Sequence, residues 1–292
     1  FQNNRLVIAQ RLAALNGDSS GDIDEFGFPI GYGKNNQSVL IPAFISAYSG
    51  KSPESISLNA ISKTPLPSWS ISYNGLMNFD FIKESFKRFS LGHAYRSSYT
   101  LNNFKSNLEY NPDNTQLTDD SGNFINEFLF TNVNLVEQFN PLLKIDMELN
   151  NSLQIVMSLK KDRALSLSLD NNLLTESSGT DYSIGLGYRI KDLKFTNRVG
   201  GKRRVSKGDL NIKTDLNFRD NITIIRNLNI LDNKVTAGQK MWSLKTSADY
   251  NLSKSFNAIF FYDHLFSKFA ISTAFPMTTI RAGMTLRYSF GE

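Results

Sequence analysis

The sequence predicts an all-β protein of long antiparallel strands, preceded by a short, partly helical segment. Three observations lead to this prediction. From residue 69 onward, apolar and polar side chains alternate in segment after segment, which is the period of a β-strand. No run approaches the roughly 18 consecutive apolar residues of a membrane-spanning helix. The earlier residues lack the alternation, so we divide the chain of 292 residues into segments 1–64 and 65–292.

The first segment contains two predicted helices. Residues 3–15 show an amphipathic helical pattern, and residues 39–48 form a second helix that Pro42 is expected to break. Residues 62–68 then form an extended connector, because prolines disfavour helix there. We expect this first segment to lie in or beside a pore.

About ten to twelve antiparallel strands follow, joined alternately by tight turns and longer polar loops. Tight turns are predicted at residues 150–152, 219–221 and 253–254, and a turn at 111–114 opens a polar loop. The clearest alternation covers residues 143–149, 153–159, 182–190, 210–218, 242–250, 256–262 and 279–290.

The last of these strands, 279–290, separates two chemically different faces. One face carries Arg281 and Arg287, and the other is wholly apolar. A strand of this length, roughly 9–11 residues, crosses a tilted bilayer, and terminal aromatic residues are typical of outer-membrane strands. The pattern therefore predicts an antiparallel transmembrane β-barrel segment of the outer-membrane type. A soluble β-protein with one hydrated face is the alternative.

Charged residues recur on the polar side of the predicted strands. Both signs are present, which predicts a hydrophilic lumen wall that holds water without strong selectivity for one ion sign. The predicted lumen-lining residues are Lys144, Asp146, Glu148, Arg189, Lys213, Asp215, Lys245, Asp249, Arg281 and Arg287.

Aromatic residues recur on the apolar side, near strand ends. This placement predicts lipid-facing residues and an interface girdle, where amphipathic rings meet the headgroups. The predicted residues are Trp69, Tyr73, Tyr188, Trp242, Tyr250, Tyr262, Tyr288 and Phe290.

The sequence contains little that points to chemistry. It has no cysteine, which excludes disulfides and thiolate catalysis, and it has no metal-binding motif. Its two histidines, His93 and His264, lie in strand patterns without a nucleophile motif, so we predict neither an enzyme nor a cofactor. The basic cluster at 201–207 lacks neighbouring aromatic residues, so we predict no nucleic-acid partner.

Six segments together resemble the C-terminal region of the SprA/Sov family. They are FPIGYGKN (28–35), VLIPAF (39–44), PLPSW (65–69), GHAYRSSY (92–99), IGLGYR (184–189) and FFYDH (260–264). That family forms the outer-membrane translocon of the type IX secretion system in Bacteroidetes and is linked to gliding motility. The likeness covers nearly the whole chain and is weakest before residue 26.

The resemblance implies a very large single-chain barrel that conducts folded cargo proteins bearing a C-terminal signal. It implies as partners outer-membrane lipid, secreted cargo, a barrel of the PorV type and a periplasmic plug protein. It supplies no catalytic residues. The alternative is a small self-contained outer-membrane barrel that acts as a porin or as a lipid-modifying enzyme, and the length of the native chain discriminates between the two.

Overall fold

The computed structural model describes residues 1–16, 21–61, 66–199, 202–253, 256–271 and 275–290. For residues 195–199, 202–206 and 252–253 it describes the backbone only. Parts of the predicted connector at 62–68, of the predicted turn at 253–254 and of the basic cluster at 201–207 therefore lie outside the described residues.

Two helices begin the chain, α1 (Gln2–Asn16) and α2 (Gln37–Ser49), as the sequence predicted. They pack against each other through small and branched apolar residues such as Ile8 and Val39, both fully buried. Burial of these side chains, more than intrinsic helix propensity, holds such short helices in place.

The expected break at Pro42 is wrong, because α2 is continuous through that residue. The side chain of Asn36 caps the helix by accepting the backbone N–H of Ser38, so α2 begins at Gln37. Pro42 is the sixth of 13 residues in α2, and its missing N–H costs one intrahelical hydrogen bond. Burial of Pro42 and of its apolar neighbours offsets that cost.

Eleven strands follow in the described part of the chain. Between the first two lie a 3-10 helix, Gly75–Asn78, and the short helix α3, Asp80–Lys83. The strands are β1 (Trp69–Tyr73), β2 (Phe86–Asn102), β3 (Lys105–Ser106), β4 (Phe128–Leu129), β5 (Asn132–Leu149), β6 (Leu153–Ser168), β7 (Leu173–Val199), β8 (Lys202–Asn227), β9 (Asp232–Ser253), β10 (Phe256–Phe269) and β11 (Met277–Tyr288).

Nine of the strands form one antiparallel sheet in the order β1-β2-β5-β6-β7-β8-β9-β10-β11, and β3 and β4 form a separate pair. The sheet is a meander, since each of its strands pairs with the next one along the chain. It is open among the described residues, because β1 and β11 are its edges and do not pair with each other. The prediction of an antiparallel β-protein is confirmed. No helix in the described ranges is long and apolar enough to span a membrane.

The turn predicted at 219–221 is wrong, whereas the one at 150–152 is confirmed. Strand β8 runs through Arg219 and Asp220 with unbroken pairing on both sides. These polar residues point instead at charged neighbours on adjacent strands: Arg219 pairs with Asp181 at 3.4 Å, and Asp220 with Lys240 at 3.0 Å. Consecutive polar residues that form cross-strand ion pairs thus resemble a turn when the sequence is considered alone.

The excursion between β3 and β4 returns to the first helices. The backbone of Gly31 donates to the carbonyl of Gly122 and accepts the N–H of Phe124, at 3.1 and 2.9 Å. The rings of Tyr32 and Phe124 meet edge to face, with centroids 5.2 Å apart. We call residues 1–61 together with this excursion the helical unit.

Among the glycines of the helical unit, Gly31 has the closest side-chain neighbour. Its φ is +85°, and a Cβ placed there would lie 2.2 Å from the Phe124 ring. We expect Gly31→Ala to destabilise the helical unit by about 2–4 kcal/mol, from a strained left-handed residue and a steric clash combined. Thermal unfolding of the purified protein in detergent, followed by circular dichroism at a helix-sensitive wavelength, measures this.

Gly50→Ala is the matched control for that substitution. Gly50 also has a positive φ, +70°, but a Cβ at this position would meet no atom within 4 Å. We therefore expect only the backbone cost of about 1–2 kcal/mol. Equal losses in the two variants would show that a methyl group at residue 31 does not clash with the Phe124 ring.

Candidate functional site

The cross-strand register sorts the side chains of the large sheet onto two faces. All ten predicted lumen-lining residues fall on one of them, which we call the polar face. They are Lys144, Asp146 and Glu148 on β5, Arg189 on β7, Lys213 and Asp215 on β8, Lys245 and Asp249 on β9, and Arg281 and Arg287 on β11. The structure thus places predicted residues from five strands on a common surface.

One transverse row shows the character of the polar face. It crosses eight strands through Ser90, Asp146, Val156, Gly185, Asp215, Lys245, Asp263 and Arg281. Opposite charges stand beside each other along it, and Asp263 accepts from Arg281 at 2.9 Å. Arg88, one row away, donates to Asp146 of this row at 2.9 Å, and farther along the face Arg189 pairs with Asp209. The face is therefore charged and largely self-compensated.

The opposite face carries a belt of apolar rows, which we call the apolar band. One row is apolar or aromatic across all nine strands: Tyr73, Leu91, Ile145, Met157, Ile184, Leu216, Leu244, His264 and Ile280. On β8 the band extends from Leu210 to Phe218, or roughly 26 Å of strand at about 3.3 Å per residue. Large apolar side chains here are exposed: Leu216 is 44% exposed and Met284 is 53% exposed.

The predicted aromatic residues lie on this apolar side. Seven of them are at least partly exposed: Trp69, Tyr73, Tyr188, Trp242, Tyr262, Tyr288 and Phe290. Tyr250 differs, being 9% exposed, and its hydroxyl donates to the carbonyl of Leu193 at 3.1 Å. Phe290 lies just beyond β11, and its ring centroid is 4.8 Å from that of Tyr288.

An aromatic row bounds the apolar band at one end. It consists of Tyr182, Phe218, Trp242 and Phe266 on consecutive strands β7 to β10. Sequence reasoning identified only Trp242 of these four as a girdle residue, because alternation within a strand does not reveal which residues on neighbouring strands stand side by side.

A charged row lies directly beyond the aromatic row on the same face. It consists of Lys161, Thr180, Asp220, Lys240 and Lys268 on strands β6 to β10. Sequence reasoning missed these lysines as well. In the sequence, each of these lysines stands two residues away from an aromatic residue or a leucine on the same strand. At that point the residues that share one face change from apolar to charged.

The helical unit packs farther along this same face. Strand β6 pairs with β7 without interruption, so Met157 in the apolar band and the buried Leu165 project to the same side. Leu165 belongs to a core with Phe44 of α2 and Leu135 of β5. Along one face, the sheet therefore presents an apolar band, a charged row and a protein core in succession.

Arg163 connects the helical unit to the sheet. Its guanidinium donates to the carbonyl of Tyr48 and to the carboxylate of Glu137, each at 3.0 Å, and lies 5.7 Å from the Tyr48 ring centroid. Burial at this junction raises the pKa of the Tyr48 hydroxyl above its ordinary value. The contact is charge-assisted, which makes it stronger than a neutral hydrogen bond.

His93 does not form a catalytic arrangement with Ser90 or Ser97, the serines nearest to it in the sequence. His93 Nδ1 lies 2.6 Å from the carbonyl of Leu142. Ser90 occupies the polar face, opposite to His93, and the Ser97 hydroxyl donates to the carbonyl of Pro67. Within the described ranges, no group of three or more His, Cys, Asp or Glu side chains could hold a metal ion.

Comparisons of the chain with models of protein families and with curated proteins found no match.

Proposed function

We propose that this chain forms part of the wall of a large outer-membrane β-barrel whose polar face lines a protein-conducting pore. One observation carries the proposal: the same strands separate an exposed apolar band from a face that is polar and charged. A soluble sheet that exposes nine strands of apolar side chains would associate or aggregate. Lipid is the medium that such a band fits.

The composition of the polar face favours passage of a polypeptide over binding of a particular solute. The predicted lumen residues include six cationic and four anionic side chains, and several pair across strands. Compensated charges hold water but leave no strong field of one sign to trap a passing protein. The absence of a packed helical unit on this face, within the described ranges, also fits an open conduit.

The open sheet supports the interpretation as a segment of a larger barrel. Its edges are unequal, since β1 has 5 residues and β11 has 12. Strands with unpaired backbone groups do not persist in a bilayer, so we expect further strands to pair with these edges. The proposal also includes the partners that the family resemblance implies: the cargo, the PorV-type barrel and the periplasmic plug protein.

Two cysteine variants test the proposal in a chain that has no natural cysteine. Ser183 lies on the polar face and Ile184 on the apolar band, one residue apart on β7. In cells exporting cargo, we expect Ser183→Cys to react with a polar maleimide. A second reagent that carries both a maleimide and a photoreactive group should cross-link this cysteine to the polypeptide in transit. We expect Ile184→Cys to react only with a lipid-soluble maleimide.

Each other outcome of this experiment has a defined meaning. Polar labelling at Ser183→Cys without any cross-link to cargo would favour the alternative, a small self-contained porin. Polar labelling of Ile184→Cys with protection of Ser183→Cys would contradict the assignment of the two faces and with it the proposed pore.

A further inference from the structure

The charged row borders the apolar band on strands β6 to β10. Lys161 on β6, Lys240 on β9 and Lys268 on β10 all fall in this row, and all three are exposed. Leu159, Trp242 and Phe266 occupy the equivalent positions one row closer to the band. The cationic side chains therefore begin where the aromatic row ends.

The row carries uncompensated positive charge. Among the described residues, only Lys240 has an acidic partner, Asp220 at 3.0 Å, while Lys161 and Lys268 form no ion pair. The next charged groups along the face form two ion pairs, Arg163 with Glu137 and Arg226 with Glu176. At this end of the apolar band, the unpaired cationic side chains among the described residues are thus Lys161 and Lys268.

We propose that Lys161, Lys240 and Lys268 bind the phosphate groups of anionic membrane lipids. The inference rests on the proposed function, which places the apolar band in the bilayer. Lysine is suited to this position, because its aliphatic stem lies along apolar surface while its ammonium group reaches the headgroups. The aromatic row beneath it lies at the depth that Trp and Tyr prefer, which sets the headgroups at the level of the lysines.

Anionic lipid fits this row better than a zwitterionic one does. A zwitterionic headgroup brings a cation of its own next to each phosphate, whereas an anionic headgroup leaves the phosphate free to pair with Lys161 and Lys268. Attraction of basic side chains to an anionic surface acts within about a Debye length, a range that would include these ammonium groups in the proposed placement.

A triple variant, K161Q/K240Q/K268Q, tests the inference in the full-length protein. Native mass spectrometry in detergent counts bound phosphatidylglycerol and phosphatidylcholine as each is titrated. We expect the variant to bind phosphatidylglycerol roughly tenfold more weakly than the native protein does, with phosphatidylcholine binding unchanged.

The matched control is K144Q/K213Q/K245Q, which removes the same charge from the polar face. It should bind phosphatidylglycerol as the native protein does. Native-like binding by the row variant, or an equal loss in the control, would overturn the inference. A difference in gel mobility between unheated and heated samples verifies that each variant is folded.

The failure of this inference can be told apart from failure of the proposed function. Resistance of the native protein to extraction from membranes by alkaline carbonate reports whether the band is embedded at all. An embedded protein whose row variant keeps its anionic lipid contradicts only the lysine assignment. An extractable protein contradicts the membrane placement and, with it, both proposals.

Discussion

Replacement of Ile155 by arginine is expected to prevent assembly of the chain in the outer membrane. Ile155 lies in the apolar band, in a row with Met147 and Leu186 on the neighbouring strands. In the proposed barrel, a guanidinium there would face lipid with no anionic partner among these neighbours. Arginine on the lipid face of a barrel costs about 2–4 kcal/mol near the bilayer midplane, a large fraction of the stability of most folded domains.

Gln154→Arg is the matched control, because it introduces the same side chain one residue earlier on β6. Gln154 projects to the polar face, opposite to Ile155, and stands next to Glu148 on β5. An arginine there would be hydrated and would gain an acidic neighbour. We expect Gln154→Arg to assemble at the native level.

The measurement is the amount of each variant in the outer-membrane fraction that resists extraction, compared with its total synthesis. We expect a severalfold loss for Ile155→Arg and none for Gln154→Arg. Equal assembly of the two variants would mean that the apolar band does not face lipid, which would remove the main support for the proposed pore.

Much of the strand structure could be predicted from single segments of sequence. The alternation around Ile184 and Gly185 is a local property, and it predicts both a strand and two faces without reference to any other segment. The ten charged residues fall on one face because consecutive strands of a meander keep their alternation in step across each antiparallel pairing. Whether the apolar face meets lipid is a separate matter that the Ile155→Arg experiment addresses.

The features missed by sequence reasoning depend on register. The aromatic row and the charged row exist only because Phe218 pairs with Trp242 and Asp220 with Lys240 across strands. The polar residues at 219–221 also look like a turn in isolation, and only their partners on β7 and β9 reveal a continuous strand. A single sequence contains no direct information on such pairings.

The position of the helical unit also depends on long-range contacts. Its core joins residues far apart in the chain, such as Leu40 of α2, Leu167 of β6 and Leu228 after β8. The run of apolar residues in α2 predicts that the helix is buried, but not against which face of the sheet. The structure places the helical unit on the same side as the apolar band.

Phe44→Ala is expected to release the helical unit from the sheet. The Phe44 side chain is fully buried and packs in the core with Leu135 and Leu165 of the strands. Removing a buried phenylalanine ring costs about 3–5 kcal/mol, from lost apolar burial and from the cavity that remains. Since α1 and α2 are too short to persist without packing, their helical signal should melt at lower temperature than that of the native protein.

Phe81→Ala provides the control for loss of a phenylalanine ring. Phe81 lies in α3 and is 67% exposed, so its removal should change stability by no more than about 0.5 kcal/mol. Limited proteolysis supplies a second measurement, with faster cleavage within residues 1–61 expected for Phe44→Ala alone.

The sheet itself should tolerate Phe44→Ala. The cross-strand hydrogen bonds of the apolar band and the polar face do not involve α2. The variant should therefore keep the difference in gel mobility between unheated and heated samples while it loses its helical signal. Such a separation would mean that the helical unit is held on the sheet chiefly by the core around Phe44. Simultaneous loss of both signals would mean instead that the strands require the helical unit in order to stay paired.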